Sequence, residues 1–199
     1  MMSLGVDPGA HAAMALVASP APGDRPVLVG VWRVDKPDLQ AYYEASLSVF
    51  CGVSAILAGV TPAITVEEVP PFGRAMTAAG LARRQGLLLG ALFSAGLSGP
   101  VLLNPLQWAG AYGGHIRRGK ADGGAHRLEE AARLINCRGL QLTTDQAEAV
   151  LIAGAALLLR GSWKLDHLRD VAEMMPAKKT RKKATAEDSS VVRKRGKKA

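Results

Sequence analysis

The chain has 199 residues, 48% of them hydrophobic, which suits one domain with a sizeable core and a remainder. Its longest apolar stretch, Gly86 to Gly99, is about 14 residues and falls short of the roughly 18 that a membrane span needs. The chain opens on Leu4-Gly5-Val6 with no basic segment ahead of it, unlike a secretory signal, and Cys51 and Cys137 have no paired CxxC spacing. Neither a zinc site nor a disulfide framework is therefore supported, and the expected setting is a reducing cytoplasm.

The net charge of +8 is unevenly placed. Ten Lys and Arg against Glu187 and Asp188 lie between Pro176 and Ala199, so the tail carries the whole excess and the body is neutral. Such a basic block is expected to be disordered and to meet polyanions without specificity, or simply to solubilise the chain.

In chain order, Ser3 to Val6 is a short strand stopped by Asp7-Pro8-Gly9. Ala12 to Ala18 and Val27 to Val34 follow as strands, separated by the turn residues Ala21-Pro22-Gly23-Asp24, and the three form an antiparallel meander. Leu39, Tyr42, Tyr43, Leu47 and Phe50 have helical spacing, which predicts a helix over 37–57 with Pro37 in its first turn. Ala63 to Val66 is a fourth strand ending in Glu67-Glu68, and Pro70-Pro71 breaks the chain. A long Ala- and Leu-rich helix runs from Arg74 to about Gly96, and Val101 to Leu103 is a fifth strand. Residues 104–125 read as irregular and Gly-rich, 126–135 as helical, and 144–160 as a last helix opening with Thr144-Asp145. Hairpin strands followed by strand–helix alternation predict an α/β domain with one mixed five-stranded sheet, three antiparallel strands then parallel ones, flanked by helices, a pattern common to the ribonuclease H-like group and shared in part by many α/β folds. The domain is expected to span residues 1–170, with a basic tail over 171–199.

Carboxylates stand where a sheet enzyme uses them. Asp7 ends the first strand, Glu67 and Glu68 end the fourth, and Asp145 and Glu148 open the last helix at i and i+3, on one face. Strand ends and helix starts converge on one side of an open α/β sheet. Clustered carboxylates repel unless a cation relieves them. Hard cations prefer oxygen ligands, and two divalent ions about 3.5–4 Å apart can activate a water and stabilise a leaving oxygen in phosphodiester cleavage. Each piece has a plainer alternative: Asp7 as a turn residue, Glu67-Glu68 as a solvated strand end, Asp145 as a partner of the helix dipole, Glu148 as the return arm of a capping box on Asp145. The metal reading rests on all three sites occurring in a matching element order.

These residues resemble the RuvC family of Holliday junction resolvases. The similarity lies in Gly5-Val6-Asp7-Pro8-Gly9, in Thr65-Val66-Glu67-Glu68-Val69, and in the acidic pair heading the Ala-rich run from Asp145 to Ala153, and it covers about residues 1 to 160. The resemblance implies a homodimer on a four-way DNA junction, each subunit nicking one strand with two Mg2+ ions, for which Mn2+ substitutes. It makes Asp7, Glu67, Asp145 and Glu148 the catalytic metal ligands, with Glu67 preferred over Glu68 as the first Glu after the apolar run. Three departures point to a diverged member, of the kind a bacteriophage would carry. The last ligand is Glu rather than Asp; Pro70-Pro71 intervene before Phe72, which is either a wedge at the crossover or a core residue; and the basic tail is foreign to the family.

The segment from Ala109 to His126 holds six glycines with His115, Arg117, Arg118 and Lys120. Glycines let the backbone approach phosphate, and the cations supply charge-driven affinity. The resemblance makes Lys120 the residue that helps bind or activate the scissile phosphate. The competing reading is a surface loop with incidental charge. Arg74, Arg83 and Arg84 either meet a DNA backbone or form a solvated helix face. The stretch from Leu81 to Phe93 is either a dimer interface or monomer core, and Trp108 reads as a core anchor. The expected function is resolution of four-way DNA junctions by paired hydrolysis. The alternatives are a related nuclease acting on RNA or flaps and a catalytically silent branched-DNA-binding protein; an actin-like ATPase needs a longer, two-domain chain.

Overall fold

The computed structural model describes residues 1–21, 24–36, 38–69, 75–113, 116, 125–137 and 139–164. Three strands, β1 (Met2–Asp7), β2 (Ala12–Ala18) and β3 (Val27–Val34), form the antiparallel meander. Helix α1 (Leu39–Leu57) leads to β4 (Ala63–Glu67), and α2 (Ala75–Ser94) leads to β5 (Val101–Leu103). Then come α3 (Pro105–Gly110), α4 (Ala125–Leu134) and α5 (Thr144–Leu159). The sheet order is β3-β2-β1-β4-β5. β1 pairs antiparallel with β2 and parallel with β4, β4 pairs parallel with β5, and β2 pairs with β3 through a register shift at Leu16/Val17. This is the mixed five-stranded α/β sheet expected from the element order.

The period of two along each strand sorts the core into two layers. Leu4, Val6, Met14, Leu16, Ile64 and Val66 pack on one face against Tyr42, Phe50 and Val53 of α1 and Leu88, Ala91 and Leu92 of α2. Ala13, Ala15 and Val17 face the other way, against Ala149, Ile152 and Ala153 of α5 and, beyond them, Trp108, Leu134 and Ile135. Full burial of each large apolar side chain here contributes about 1.5–3 kcal/mol relative to leaving it exposed. The Leu-rich stretch of α2 divides: Leu88 and Leu92 enter the core, whereas Phe93 stays 56% exposed.

Two local readings need correction. α1 starts at Leu39, two residues later than expected, because the Asp38 side chain accepts from the Ala41 N–H at 2.8 Å and caps the helix; Pro37 lies outside the described residues. The stretch after β5 is not wholly irregular. Asn104 caps α3, its side chain accepting from Gln107 N while the Gln107 side chain accepts from Asn104 N, both at 2.9 Å, with Pro105 following the cap. α3 carries Trp108 into the core, and Tyr112 just beyond it donates to Leu151 O of α5 at 2.6 Å. Among the described residues no helix is long and apolar enough to cross a membrane.

Candidate active site

Strand alternation decides which acidic residues meet. Val6 pairs with Val66 across the parallel β1–β4 ladder, so Asp7 and Glu67 are neighbours one step further on. Both belong to the sheet face that α5 covers, because Val6 and Val66 point into the opposite layer. Glu68 falls out of that alternation and is exposed, with its N–H donating to Leu103 O at 2.9 Å. Gln85 of α2 donates to the Glu67 carbonyl at 2.9 Å and anchors the strand end.

α5 reaches the site because β1 has a glycine where the helix crosses it. A Cβ on Gly5 would lie 2.2 Å from Ala149 O and 2.4 Å from Ala153 N, so only glycine permits this approach. The N-terminus of α5 is capped by Thr143, which accepts from Gln146 N at 3.3 Å while the Gln146 side chain accepts from Thr143 N at 3.0 Å. Capping therefore belongs to Thr143 and Gln146, and the reading of Glu148 as a capping arm of Asp145 does not hold. Asp145 and Glu148 instead line one cleft of about 250 Å³ with Asp7, Pro8, Gly9, Glu67, Glu68, Val69 and Leu81.

The cleft is electrostatically costly. Burial pushes the Asp7 carboxyl well above the usual carboxylate range; repulsion from Glu67, Glu148 and Asp145 adds to this, while the Gly9 N–H, donating at 3.0 Å, opposes it. Burial and then Glu148 raise Glu67 to about 7, against the pull of the Trp108 indole N–H and of Arg127. Burial also raises Glu148, with Asp145 adding to the rise, while Arg127 and His126 favour its charged form. Carboxyls of Asp7, Glu67 and Glu148, all shifted upward by burial and then by neighbouring charge, in a cleft between strand ends and a helix start, form a candidate functional site on physical grounds.

Beside this group Arg127 of α4 pairs with Glu148 at 3.4 Å through Nε and with the buried Glu130 at 3.2 Å. Its guanidinium lies 5.2 Å from the centre of the Trp108 ring, a cation–π stack. Trp108 is fully buried beneath, and its indole N–H, without a full hydrogen bond, lies close enough to Glu67 to favour the charged carboxylate.

The donors suit a hard divalent cation: oxygens only, with a negative charge that a cation relieves. Among the described residues no three His, Cys, Asp or Glu side chains already surround a common point. Closing on an ion therefore takes side-chain rotation. Asp7, Glu67, Asp145 and Glu148 are the residues that could hold such a cation.

The structure thus brings Asp7, Glu67, Asp145 and Glu148 to one cleft. Arg84 is half-buried on α2, close enough to favour ionisation of the Tyr42 hydroxyl, while Arg83 is exposed on the same helix. Phe72, Arg74, His115, Arg117, Arg118 and Lys120 lie outside the described residues. Sequence reasoning missed Arg127 and Glu130, an i, i+3 ion pair in the expected helix, and the link between Trp108 and the site. The signals for these were the Asn104-Pro105-Leu106-Gln107 start of α3 and the Arg127/Glu130 spacing.

No protein-family model matches the chain, and no curated protein does. Solved structures do. RuvC of Thermus thermophilus in complex with a Holliday junction substrate superposes with a TM-score of 0.65 at 21% identity, over 81% of this chain and 95% of that one. A second structure of Thermus thermophilus RuvC gives 0.63 at 21%, over 81% and 98%. A complex of Fowlpox virus resolvase with Holliday junction DNA matches at 12% identity with a TM-score of 0.39, over 77% and 96%, too distant to carry argument. The chain has the RuvC-like, ribonuclease H-like fold.

Proposed function

We propose that the protein is a magnesium-dependent endonuclease that resolves four-way DNA junctions, acting as a homodimer with one cleft per subunit. The observation that carries this reading is the convergence of carboxylates from β1, β4 and α5 in one cleft of a RuvC-like fold. Thermus thermophilus RuvC, of the same fold, is known in complex with a Holliday junction, which favours branched DNA over linear duplex as the substrate here.

Magnesium, when bound, supplies an acidified water and neutralises the charge that develops on the leaving oxygen. The chain's own residues prepare for it. Asp7 is fixed by the Gly9 N–H on a strand end that cannot drift, because β1 lies in the middle of the sheet. Glu67 holds a proton for part of the time near neutral pH and would lose it to solvent when a cation binds. Asp145 and Glu148 approach from α5. Arg83 on the exposed face of α2, with Lys120, Arg117, Arg118 and the tail, supplies phosphate contacts, so binding falls steeply with salt.

The test is to incubate the protein with a labelled four-way junction, a linear duplex and an RNA–DNA hybrid, with and without magnesium. Paired nicks in the junction alone, only with magnesium, are expected. Cleavage of the hybrid instead would assign the same site to RNA, and junction binding without cleavage would make the protein a silent binder. Asp7→Asn is expected to bind the junction and not cut it.

A further inference from the structure

Between the candidate metal ligands and the rest of the domain stands a group that the reading above does not use. Trp108 comes from α3, Arg127 and Glu130 from α4, and Glu148 from α5. The Arg127 guanidinium lies over the Trp108 ring at 5.2 Å and reaches Glu148 at 3.4 Å and Glu130 at 3.2 Å. Trp108 and Glu130 are 2% and 5% exposed, and the Arg127 side chain only 14%. A flat ion stacked on a buried ring and tied to a buried carboxylate has little rotational freedom. Its Nε–H therefore presents a fixed direction to Glu148.

The charges matter as much as the contacts. Glu130 offsets part of the Arg127 charge, the rest of which favours the ionised forms of Glu67 and Glu148. The arginine thus orients Glu148 while leaving most of the negative field that draws a cation. A lone arginine would do the reverse and compete with the ion. The stack also spans two ligands, since the Trp108 indole N–H lies near Glu67 as the guanidinium pairs with Glu148.

We propose that Arg127, stacked on Trp108 and balanced by Glu130, is a positioning residue that sets the separation of Glu67 and Glu148 and thereby the divalent-cation affinity of the cleft. The proposal rests on the metal-nuclease reading and adds to it the device that orients the ligands. Partners that orient metal-ligating groups are worth roughly 10–100-fold in affinity.

The experiment is calorimetric titration of the DNA-free, full-length protein with Mn2+, alongside the Mg2+ dependence of junction nicking. Arg127→Gln should weaken Mn2+ binding at least about 10-fold. It should also shift half-saturation of nicking by magnesium to higher concentration, with most of the rate recovered at saturating metal. Arg127→Lys keeps the charge but loses the flat stack and fork, so it should also bind Mn2+ more weakly than wild type. Lys at this position remains informative if the Gln variant does not fold. Glu130→Gln leaves the arginine unbalanced and should weaken binding too, whereas Glu129→Gln, exposed on the same helix, should not. Wild-type Mn2+ affinity in folded Arg127→Gln or Arg127→Lys protein would overturn the proposal alone. Absence of Mn2+ binding by the wild-type chain would overturn the metal reading, and the proposal with it.

Discussion

Asp7 and Glu67 stand side by side at the ends of two parallel strands, one residue beyond the Val6–Val66 pair, and Glu67 adds to the burial that raises the cost of ionising Asp7. The folded-state pKa of each lies above its unfolded value, Glu67 at about 7. Both carboxyls contribute fully to stability below about pH 4, where folded and unfolded states are protonated, and that contribution is lost as pH rises, through about 7 for Glu67. For Glu67 alone the loss approaches about 3 kcal/mol, since one pKa unit is worth about 1.4 kcal/mol. Metal-free protein should therefore melt higher near pH 5.5 than near pH 8, by roughly 5–10 °C. Magnesium should raise the melting temperature more at the higher pH, because binding displaces protons. Glu67→Gln should raise the metal-free melting temperature near pH 8. A metal-free melting temperature independent of pH across this range would contradict the arrangement.

Gly5 permits the crossing that brings α5 to Asp7. Gly5→Ala places a methyl 2.2 Å from Ala149 O, against helix backbone and not against a side chain that can swing away. The helix must move or the strand must bend, and overpacking of this kind costs typically 1–3 kcal/mol. Because α5 carries Asp145 and Glu148, the displacement should also reduce Mg2+-dependent nicking out of proportion to the lost stability. Denaturant titration and nicking assays on the same preparation separate the two effects. Full activity in a destabilised Gly5→Ala protein would show that the crossing does not set the site.

Much of this was legible in the chain. The meander was readable from apolar runs cut by turn residues because β1, β2 and β3 follow one another closely in the chain. The acidic positions were readable because strand ends and an i, i+3 pair are short-range patterns. α3 was not, since six residues among glycines make a weak periodic signal, and only the Asn104/Gln107 cap betrays it. The role of Arg127 was not readable either: its partners Trp108 and Glu148 lie 19 and 21 positions away and are brought together only by tertiary packing. The choice between capping and site roles for Asp145 and Glu148 also needed coordinates, because Thr143 and Asp145 are both plausible N-caps by residue type.

The turn after α1 stores a small strain. Ala58 closes the helix with φ 45°, ψ 46°, a left-handed conformation that disfavours a Cβ. Ala58→Gly removes that penalty of about 1–2 kcal/mol while loosening the unfolded chain by somewhat less. A net gain of up to about 1 kcal/mol is expected in chemical denaturation, without change in nicking, since Ala58 lies at the opposite end of the sheet from Asp7. A loss of stability would mean that the alanine methyl has a packing role.

Thr143 and Asp145 are two residues apart at the start of α5, yet they should fail in opposite ways. Thr143→Ala removes the acceptor for Gln146 N and leaves the helix end uncapped. Its cost is about 1 kcal/mol of stability, with nicking at saturating magnesium close to wild type. Asp145→Asn leaves the Thr143–Gln146 box in place and lowers the negative charge facing Glu148. Stability should hold or rise slightly without metal, while Mg2+-dependent cleavage falls by orders of magnitude and junction binding persists. Thermal melts, filter binding and nicking assays on both variants read the pair. If Asp145→Asn instead lost stability and kept its activity, the acidic head of α5 would be a capping feature, and the metal site would have to be built from Asp7, Glu67 and Glu148 alone.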